Sequence, residues 1–136
     1  MTSSEFQLFV YGTLKPGESA FEQFCQPFTT DRQPAIAPGR LYHLPLGYPA
    51  MTLGRGWVQG ILLTLNDTAA LATLDAFEEY DPDTPEASEY QRLCYSIYNL
   101  DRTFLTQAWV YTMSRDQIEA LGGKWLPDGY WSQAQS

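Results

Sequence analysis

Residues 6–14, with the sequence FQLFVYGTL, combine an apolar run with a glycine turn. Phe6, Leu8 and Val10 alternate as they would in a β-strand, and Gly12 ends that strand. A strand that stops at a glycine lets backbone N–H groups approach a ligand closely, and successive N–H groups that point the same way form an anion-binding nest. The stretch predicts either a ligand-binding loop or an ordinary tight turn between a strand and a helix.

The composition indicates one domain and argues against two classes of partner. The 136 residues are 44% hydrophobic and 15% aromatic, which is enough material for a core. A net charge of −8 disfavours nucleic acid and anionic membrane surfaces, because both attract basic proteins. No apolar run approaches the ~18 residues of a membrane span, and no signal peptide is visible. We expect a single domain over residues 1–136, in which residues 132–136 form a loose tail. We expect the protein to be cytoplasmic and to be a monomer or a homodimer.

Few residues are available for metal or nucleophile chemistry. Cys25 and Cys94 are far apart and lack the spacing of a metal site, so we expect two reduced thiols. The chain has one histidine, His43, which we interpret as structural rather than catalytic. We therefore expect no metal site.

The remaining pattern favours an α+β fold. Strands are predicted over residues 39–44, 57–65, 92–100 and 105–113, and Ser114 predicts the cap of a short helix over 115–121. Residues 28–38 contain two prolines and predict a connection or a short edge strand. Residues 45–50 predict a loop whose Tyr48 could wall a pocket, and Gly60 predicts a bulge or a close backbone approach. The strands would form a mixed or antiparallel sheet, which could curl into a small barrel, with one main helix against it.

The main helix is predicted over residues 67–80, DTAALATLDAFEEY, with Asn66 or Asp67 as its cap. On a wheel of about 100° per residue, its buried face consists of Ala70, Leu71, Leu74 and Phe77. Glu78 falls on that face. Glu79 points about 100° away, toward the side of Asp75 and Ala72, which we expect to be solvated.

Glu78 is therefore a candidate general acid–base. Burial and the helix C-terminus would both raise the pKa of its carboxyl group, in the direction that proton transfer near neutral pH requires. The alternative is a fraying helix end whose carboxylate reaches a buried partner such as Arg92. The acidic segment that follows, residues 81–89, predicts a solvated loop long enough to act as a flap.

Three motifs, YGTL at 11–14, LDAFE at 74–78 and YQR at 90–92, resemble the γ-glutamylcyclotransferase-like superfamily, and most closely its γ-glutamylamine cyclotransferase branch. Weaker matches lie at 39–42, 47–50, 60, 110–111 and 128–131. The resemblance implies a small mixed β-barrel flanked by a few helices, a cavity floored by the YGTL loop, and Glu78 as the catalytic residue. The family commonly has glycine where this chain has Glu79. This second carboxylate could raise the pKa of Glu78 or change access to the site.

The resemblance also implies a cofactor-independent enzyme acting on a small γ-glutamyl substrate. Such an enzyme cyclises the γ-glutamyl group of a γ-glutamylamine or γ-glutamyl-amino acid to 5-oxoproline and releases the amine. The substrate would be held by backbone N–H groups and cavity walls at Tyr11, Gly12, Thr13, Leu14 and Tyr48.

Two cations are further candidates for substrate contact. Arg92 could bind the substrate or instead pair with the acidic loop. Lys15 could bind the substrate or be a solvated loop lysine.

Two readings without catalysis are also consistent with the sequence. One is a module that keeps the cavity only to bind a small amino-acid-like ligand, and the other is a partner-binding protein that uses its acidic surface. The inward Glu78 favours the enzyme, because a pure binding module has no reason to retain a carboxylate in a costly position.

Overall fold

A six-stranded sheet dominates the computed structural model, which describes residues 5–12, 14, 15, 18, 21–45, 47–78 and 90–131, with backbone only at 23 and 24. The strands are β1 (Phe6–Val10), β2 (Thr29–His43), β3 (Pro49–Leu65), β4 (Gln91–Tyr98), β5 (Phe104–Thr112) and β6 (Lys124–Leu126). The helices are α1 (Phe21–Phe24), α2 (Ala69–Phe77) and α3 (Arg115–Ala120), with a 3₁₀ turn at Gln26–Phe28. The predicted α+β class is confirmed.

The sheet closes on itself. Its strand order is β3-β1-β5-β4-β2-β6, and β2 also pairs with β3, so β1 to β5 form a ring. The sheet is mixed because β1 runs antiparallel to β3 and parallel to β5. Two of the strand pairings that close the ring are short: β1 pairs with β5 at Leu8 and Trp109, and β2 pairs with β4 at Ile36 and Tyr98.

The core explains why the first strand is apolar on both faces. One cluster of buried side chains contains Leu8 and Val10 of β1, and a second contains Phe9 of the same strand. β3 divides in the same way, with Leu63 in the first cluster and Leu62 in the second. A strand buried on both faces has a nearly continuous apolar sequence instead of strict alternation.

Most of residues 28–38, predicted as a connection or a short edge strand, belong to a strand that is much longer than predicted. β2 runs from Thr29 to His43 and pairs with β3 along nearly all of that length. Its prolines are tolerated because its other edge has few partners, with β4 only at Ile36 and β6 only from Leu41 onward. β3 likewise begins at Pro49, inside the predicted loop of residues 45–50, and the short strand β6 was not predicted.

The helix caps follow the sequence signals. The Asp67 Oδ1 atom accepts a hydrogen bond from the Ala69 N–H at 2.9 Å, so the predicted cap residue bonds the first turn of α2, although Thr68 occupies the N-cap position. α2 ends at Phe77, earlier than predicted. The Ser114 Oγ atom accepts from the Gln117 N–H at 3.2 Å and caps α3. None of the described helices has the length and apolar character needed to cross a membrane.

The C-terminal segment returns to the sheet. β6 pairs with β2, and the Gly129 carbonyl oxygen accepts a hydrogen bond from the Gln59 N–H at 2.7 Å. Trp131 is fully buried, so the C-terminal segment packs against the body through this aromatic side chain, whereas Trp125 is half exposed. Residues 132–136, expected to be a loose tail, lie outside the described residues.

Gly60 is the point where β3 comes closest to β1. A Cβ atom at Gly60 would lie 2.3 Å from the Val10 carbonyl oxygen and 2.7 Å from the Phe9 ring. The pairing of β3 with β2 continues without a register shift at this position, so the glycine marks a close backbone approach and no bulge.

We therefore expect Gly60→Ala to lower the free energy of unfolding by about 2 kcal/mol, because overpacked sites in a tight core relax poorly. Urea denaturation measures the change. Arg55→Ala, at an exposed position of the same strand, is the control and should change the stability by less than about 0.5 kcal/mol. A Gly60→Ala variant as stable as the wild type would contradict the close approach.

The two cysteines differ sharply in reactivity. Both are free thiols; Cys25 is buried and Cys94 is exposed on β4. Burial, together with the negative charge of Glu78, raises the pKa of the Cys25 thiol to about 12. Since the thiolate is the reactive form, Cys25 should be inert while the protein is folded.

A thiol titration with Ellman's reagent at pH 8 should detect one reactive thiol in the folded protein and two in denaturant. Cys94→Ser should leave no fast-reacting thiol in the folded protein. A rapid reaction of Cys25 in the folded Cys94→Ser variant would show that this part of the core is open to solvent.

Candidate active site

A cavity of about 260 Å³ lies between the end of β1, the start of β3 and the end of α2. Most of its wall is aromatic or aliphatic, and Glu78 is the carboxylate among the lining residues that the structure describes. The lining consists of Phe9, Val10, Tyr11, Gly12, Leu14, Tyr48, Pro49, Phe77, Glu78, Tyr90 and Tyr111.

The loop after β1 forms one side of the cavity. The Lys15 N–H donates to the Gly12 carbonyl oxygen at 3.0 Å and closes a turn whose Leu14 lines the cavity. Gly12 packs against the first residue of β3, and a Cβ atom there would lie 2.5 Å from the Pro49 ring. The glycine therefore allows the loop and β3 to meet at the cavity. Thr13, a predicted substrate-binding residue, lies outside the described residues.

Two tyrosine hydroxyls fasten the start of β3 to its surroundings. The Tyr11 hydroxyl donates to the Tyr111 carbonyl oxygen at 2.5 Å and accepts from the Met51 N–H at 3.3 Å. The Tyr90 hydroxyl donates to the Pro49 carbonyl oxygen at 2.7 Å. Both hydroxyls are engaged by the backbone, so the aromatic rings of these residues serve as cavity walls.

Tyr48 completes the aromatic wall. Its ring lies beside that of Tyr90, with 6.4 Å between the ring centres. Tyr11, Gly12, Leu14 and Tyr48, four of the residues singled out in the sequence, thus lie around one cavity.

Glu78 is the first residue beyond α2, and its backbone N–H donates to the Leu74 carbonyl oxygen at 2.9 Å. The residue is half-buried and lines the cavity, in agreement with its predicted place on the inward face. Burial raises the pKa of Tyr11 above its ordinary value, and the negative charge of Glu78 raises it further. The Glu78 carboxylate therefore acts electrostatically on the Tyr11 hydroxyl. Glu79 lies outside the described residues.

Asp75 was expected on the solvated side of α2, and this expectation is wrong. Asp75 is only 5% exposed. Its carboxylate accepts hydrogen bonds from the Arg92 Nε atom at 2.7 Å, the Arg92 Nη2 atom at 3.1 Å and the Tyr111 hydroxyl at 2.7 Å. A buried carboxylate is stable when it is paired in this way, and a two-pronged arginine contact is the strongest form of the pairing.

Arg92, predicted to bind the substrate, lies elsewhere. It is not among the described residues that line the cavity; its guanidinium group holds Asp75 and stacks 4.4 Å from the centre of the Trp109 ring. The alternative partner proposed for it, the acidic segment 81–89, lies outside the described residues. The direct contact of Arg92 with substrate remains a prediction.

Tyr111 joins the loop to the helix and was not singled out as a site residue. Its hydroxyl donates to Asp75 while its backbone carbonyl accepts from Tyr11. Burial and the hydrogen bond to the Asp75 carboxylate raise its pKa, so it remains a donor. The helical wheel indicated an inward direction for Asp75, because Asp75 is about 40° from Leu71 of the buried face.

Two further expectations concern Lys15 and His43. The reading of Lys15 as a solvated lysine is wrong, because it is 5% exposed and its Nζ atom donates to the Trp131 carbonyl oxygen. It is also outside the described cavity lining. His43 accepts a hydrogen bond from the Trp131 indole N–H at 2.9 Å, consistent with its predicted structural part.

The chain is similar to known proteins along most of its length. The family model described as "Gamma-glutamyl cyclotransferase, AIG2-like" matches residues 8–133. The chain is 29% identical over 109 residues to the gamma-L-glutamyl-butirosin B gamma-glutamyl cyclotransferase of Niallia circulans, which covers 80% of this chain and 67% of that protein.

Solved structures show the same fold. YkqA from Bacillus subtilis superimposes with a TM-score of 0.68 at 20% identity; the match covers 93% of this chain, which spans 39% of the length of YkqA. An AIG2-like protein from Mus musculus superimposes with a TM-score of 0.64 at 23% identity, over 84% of this chain and 82% of the mouse protein.

The family match takes in the loop after β1, the end of α2 and the segment that returns to the sheet. On that match the chain belongs to the gamma-glutamyl cyclotransferase, AIG2-like family.

Proposed function

We propose that this protein converts a γ-glutamylamine into 5-oxoproline and a free amine, with Glu78 as its general acid–base. The observation that carries the proposal is the position of Glu78 at the end of α2. There it lines an aromatic cavity together with the loop that ends β1. Membership of the family supplies the reaction class.

The reaction is an internal acyl transfer. The α-amine nitrogen of the substrate attacks its own γ-carbonyl carbon, forming the C–N bond of a five-membered lactam. The C–N bond to the leaving amine breaks, so no water or second substrate is consumed. Because nucleophile and carbonyl belong to one molecule, holding the substrate in a curled conformation lowers the barrier substantially.

One carboxylate can handle both proton transfers. The attacking α-amine loses a proton as the new bond forms, and the leaving nitrogen must gain one before it departs. Glu78 takes the first proton and delivers the second, which returns it to its starting state. No partner histidine or nucleophilic serine is required for this sequence.

The loop after β1 is assigned to holding the glutamyl group. Backbone N–H groups at Gly12, Thr13 and Leu14 would bind its carboxylate or the carbonyl oxygen as negative charge develops. The position of Gly12 and Leu14 in the cavity wall supports this assignment. Tyr11 and Tyr48 would enclose the carbon chain of the substrate.

The charge of the described cavity wall favours amines over amino acids as leaving groups. A γ-glutamyl-amino acid carries an additional carboxylate on its leaving group, which would need a cation near Glu78. The lining residues that the structure describes include no lysine, arginine or histidine. An amine without a carboxylate fits such a wall without leaving a charge unpaired.

The decisive experiment incubates the protein with γ-glutamylamines and γ-glutamyl-amino acids and detects 5-oxoproline by mass spectrometry. We expect kcat/KM to be at least about tenfold higher for the amines, the discrimination expected from one unpaired buried charge. Glu78→Gln should reduce kcat by roughly 10²–10⁴-fold, the usual contribution of a general acid–base.

Glu119→Gln, which alters an exposed carboxylate on α3, is the matched control and should retain wild-type turnover. Circular dichroism should show that both variants fold. Full turnover by Glu78→Gln would rule out the acid–base assignment. Ligand binding by the wild type without product, unchanged in Glu78→Ala, would instead indicate a binding module.

The Asp75–Arg92 pair generates a separate prediction. Both side chains are largely buried, at 8% and 14% exposure, so Asp75→Asn should lower the free energy of unfolding by about 3 kcal/mol. Thermal and urea denaturation measure this loss.

Arg92→Lys distinguishes positioning from substrate contact. If Arg92 acts only through Asp75, the variant should lose stability while the KM of the folded enzyme changes less than about twofold. A large rise in KM in a variant of wild-type stability would instead support the predicted direct contact between Arg92 and the substrate.

A further inference from the structure

Lys15 is a buried cation that directly follows the cavity-lining residue Leu14 in the sequence, and the proposed reaction does not use it. It is 5% exposed, its Nζ atom donates to the Trp131 carbonyl oxygen, and it lies 4.1 Å from the centre of the Tyr130 ring. Burial lowers the pKa of its ammonium group, and the charge of Glu18 opposes that shift. A carbonyl oxygen and the face of an aromatic ring are both groups that compensate a buried ammonium.

The residues that contact the Lys15 ammonium group are held in place by contacts of their own. The Trp131 side chain is fully buried, and its indole N–H donates to the His43 Nδ1 atom at 2.9 Å. Gly129 is bound to β3 through the Gln59 N–H. Gly129 also adopts a φ of +68° at a position where a Cβ atom would lie 2.0 Å from the Trp57 carbonyl oxygen. Residues 129–131 therefore form a platform that is attached to both β2 and β3.

The other end of the lysine belongs to the loop after β1. The Lys15 backbone N–H closes the turn onto Gly12, and the preceding residue, Leu14, lines the cavity. The side chain of Lys15 thus spans from the turn that borders the cavity to a segment 116 residues later in the sequence. None of the platform residues 129–131 lines the cavity.

We propose that Lys15 is a positioning residue that fastens the loop of residues 12–15 to the platform of residues 129–131. In this role it holds the backbone N–H groups of the loop in the conformation that binds the glutamyl group. The kinetic part of this inference rests on the proposed function, whereas the structural part does not. The two parts can therefore be tested separately.

The structural test uses the two lysines of the chain, Lys15 and Lys124. Lys124 is exposed on β6 and serves as an internal control for Lys15. Acetylation with an N-hydroxysuccinimide ester, followed by peptide mass spectrometry, should modify Lys124 at least about tenfold faster than Lys15 in the folded protein. Tyr130→Leu, which removes the ring beside the ammonium, should accelerate acetylation of Lys15 by about threefold and leave Lys124 unchanged.

The effect on the loop is measured by hydrogen exchange and requires no substrate. Lys15→Met should speed exchange of the amides of residues 15 and 18, which are hydrogen-bonded within the loop, by at least about tenfold, and Lys124→Met should not alter it. If Lys15→Met fails to fold, Tyr130→Leu should speed the same amides to a smaller extent, because it changes a half-exposed residue.

The kinetic test separates positioning from general loss of stability. Lys15→Met should raise KM for the γ-glutamylamine by about tenfold, since a displaced loop weakens substrate binding. A merely destabilised protein would show less active enzyme, hence a lower apparent kcat, at unchanged KM. Lys124→Met should match the wild type in both constants.

Each result bears on a different part of the inference. Acetylation of Lys15 as fast as Lys124 in the folded wild type would overturn the fastening contact. Unchanged amide exchange and unchanged KM in a folded Lys15→Met variant would overturn the positioning role. A wild type that forms no 5-oxoproline would count against the proposed function alone, and the acetylation and exchange results would then decide whether Lys15 fastens the loop.

Discussion

The buried carboxylate of Asp75 is the contact on which the arrangement of the cavity depends. It binds Arg92 of β4 and Tyr111 of β5, and so fixes α2 against two neighbouring strands. A charged group enters a core only when such partners receive it, and the partners in turn have one geometry that satisfies all of them. The end of α2 is thereby given a defined position, and Glu78 begins where that helix ends.

Asp75 and Glu78 show how one helix assigns different tasks to two carboxylates. They are three residues apart and so lie on neighbouring parts of the same face. The Asp75 carboxylate is paired with the Arg92 guanidinium group and the Tyr111 hydroxyl, and this contact anchors the helix to the sheet. Glu78 lies one turn later at the cavity wall, among aromatic side chains. The anchor fixes the helix, and the helix directs the second carboxylate at the space where a ligand would sit.

Local sequence signals predicted much of this fold and part of the site. The first strand, the caps at Asp67 and Ser114 and the inward face of Glu78 all depend on residues close together in the sequence. The long strand β2 was missed because its prolines argue against a strand unless its edge is open, which depends on strands far along the chain. Asp75 was misplaced because it was grouped with Glu79 and Ala72 on the solvated side, although its angle on the wheel is only about 40° from that of Leu71. The partners of Lys15 could not be foreseen, because they lie more than 100 residues away.

The same long-range contacts set the order in which the molecule can be completed. β1 is made first during synthesis, yet its partners are β3 and β5, and Lys15 must wait for the carbonyl of Trp131. Bringing such distant residues together loses chain entropy before any contact compensates for it, so these steps come late in folding. The loop beside the cavity therefore has its final support only after residue 131 has left the ribosome. Until β3 and β5 have been made, the largely apolar first strand has unpaired edges, and exposed strand edges of this kind favour aggregation.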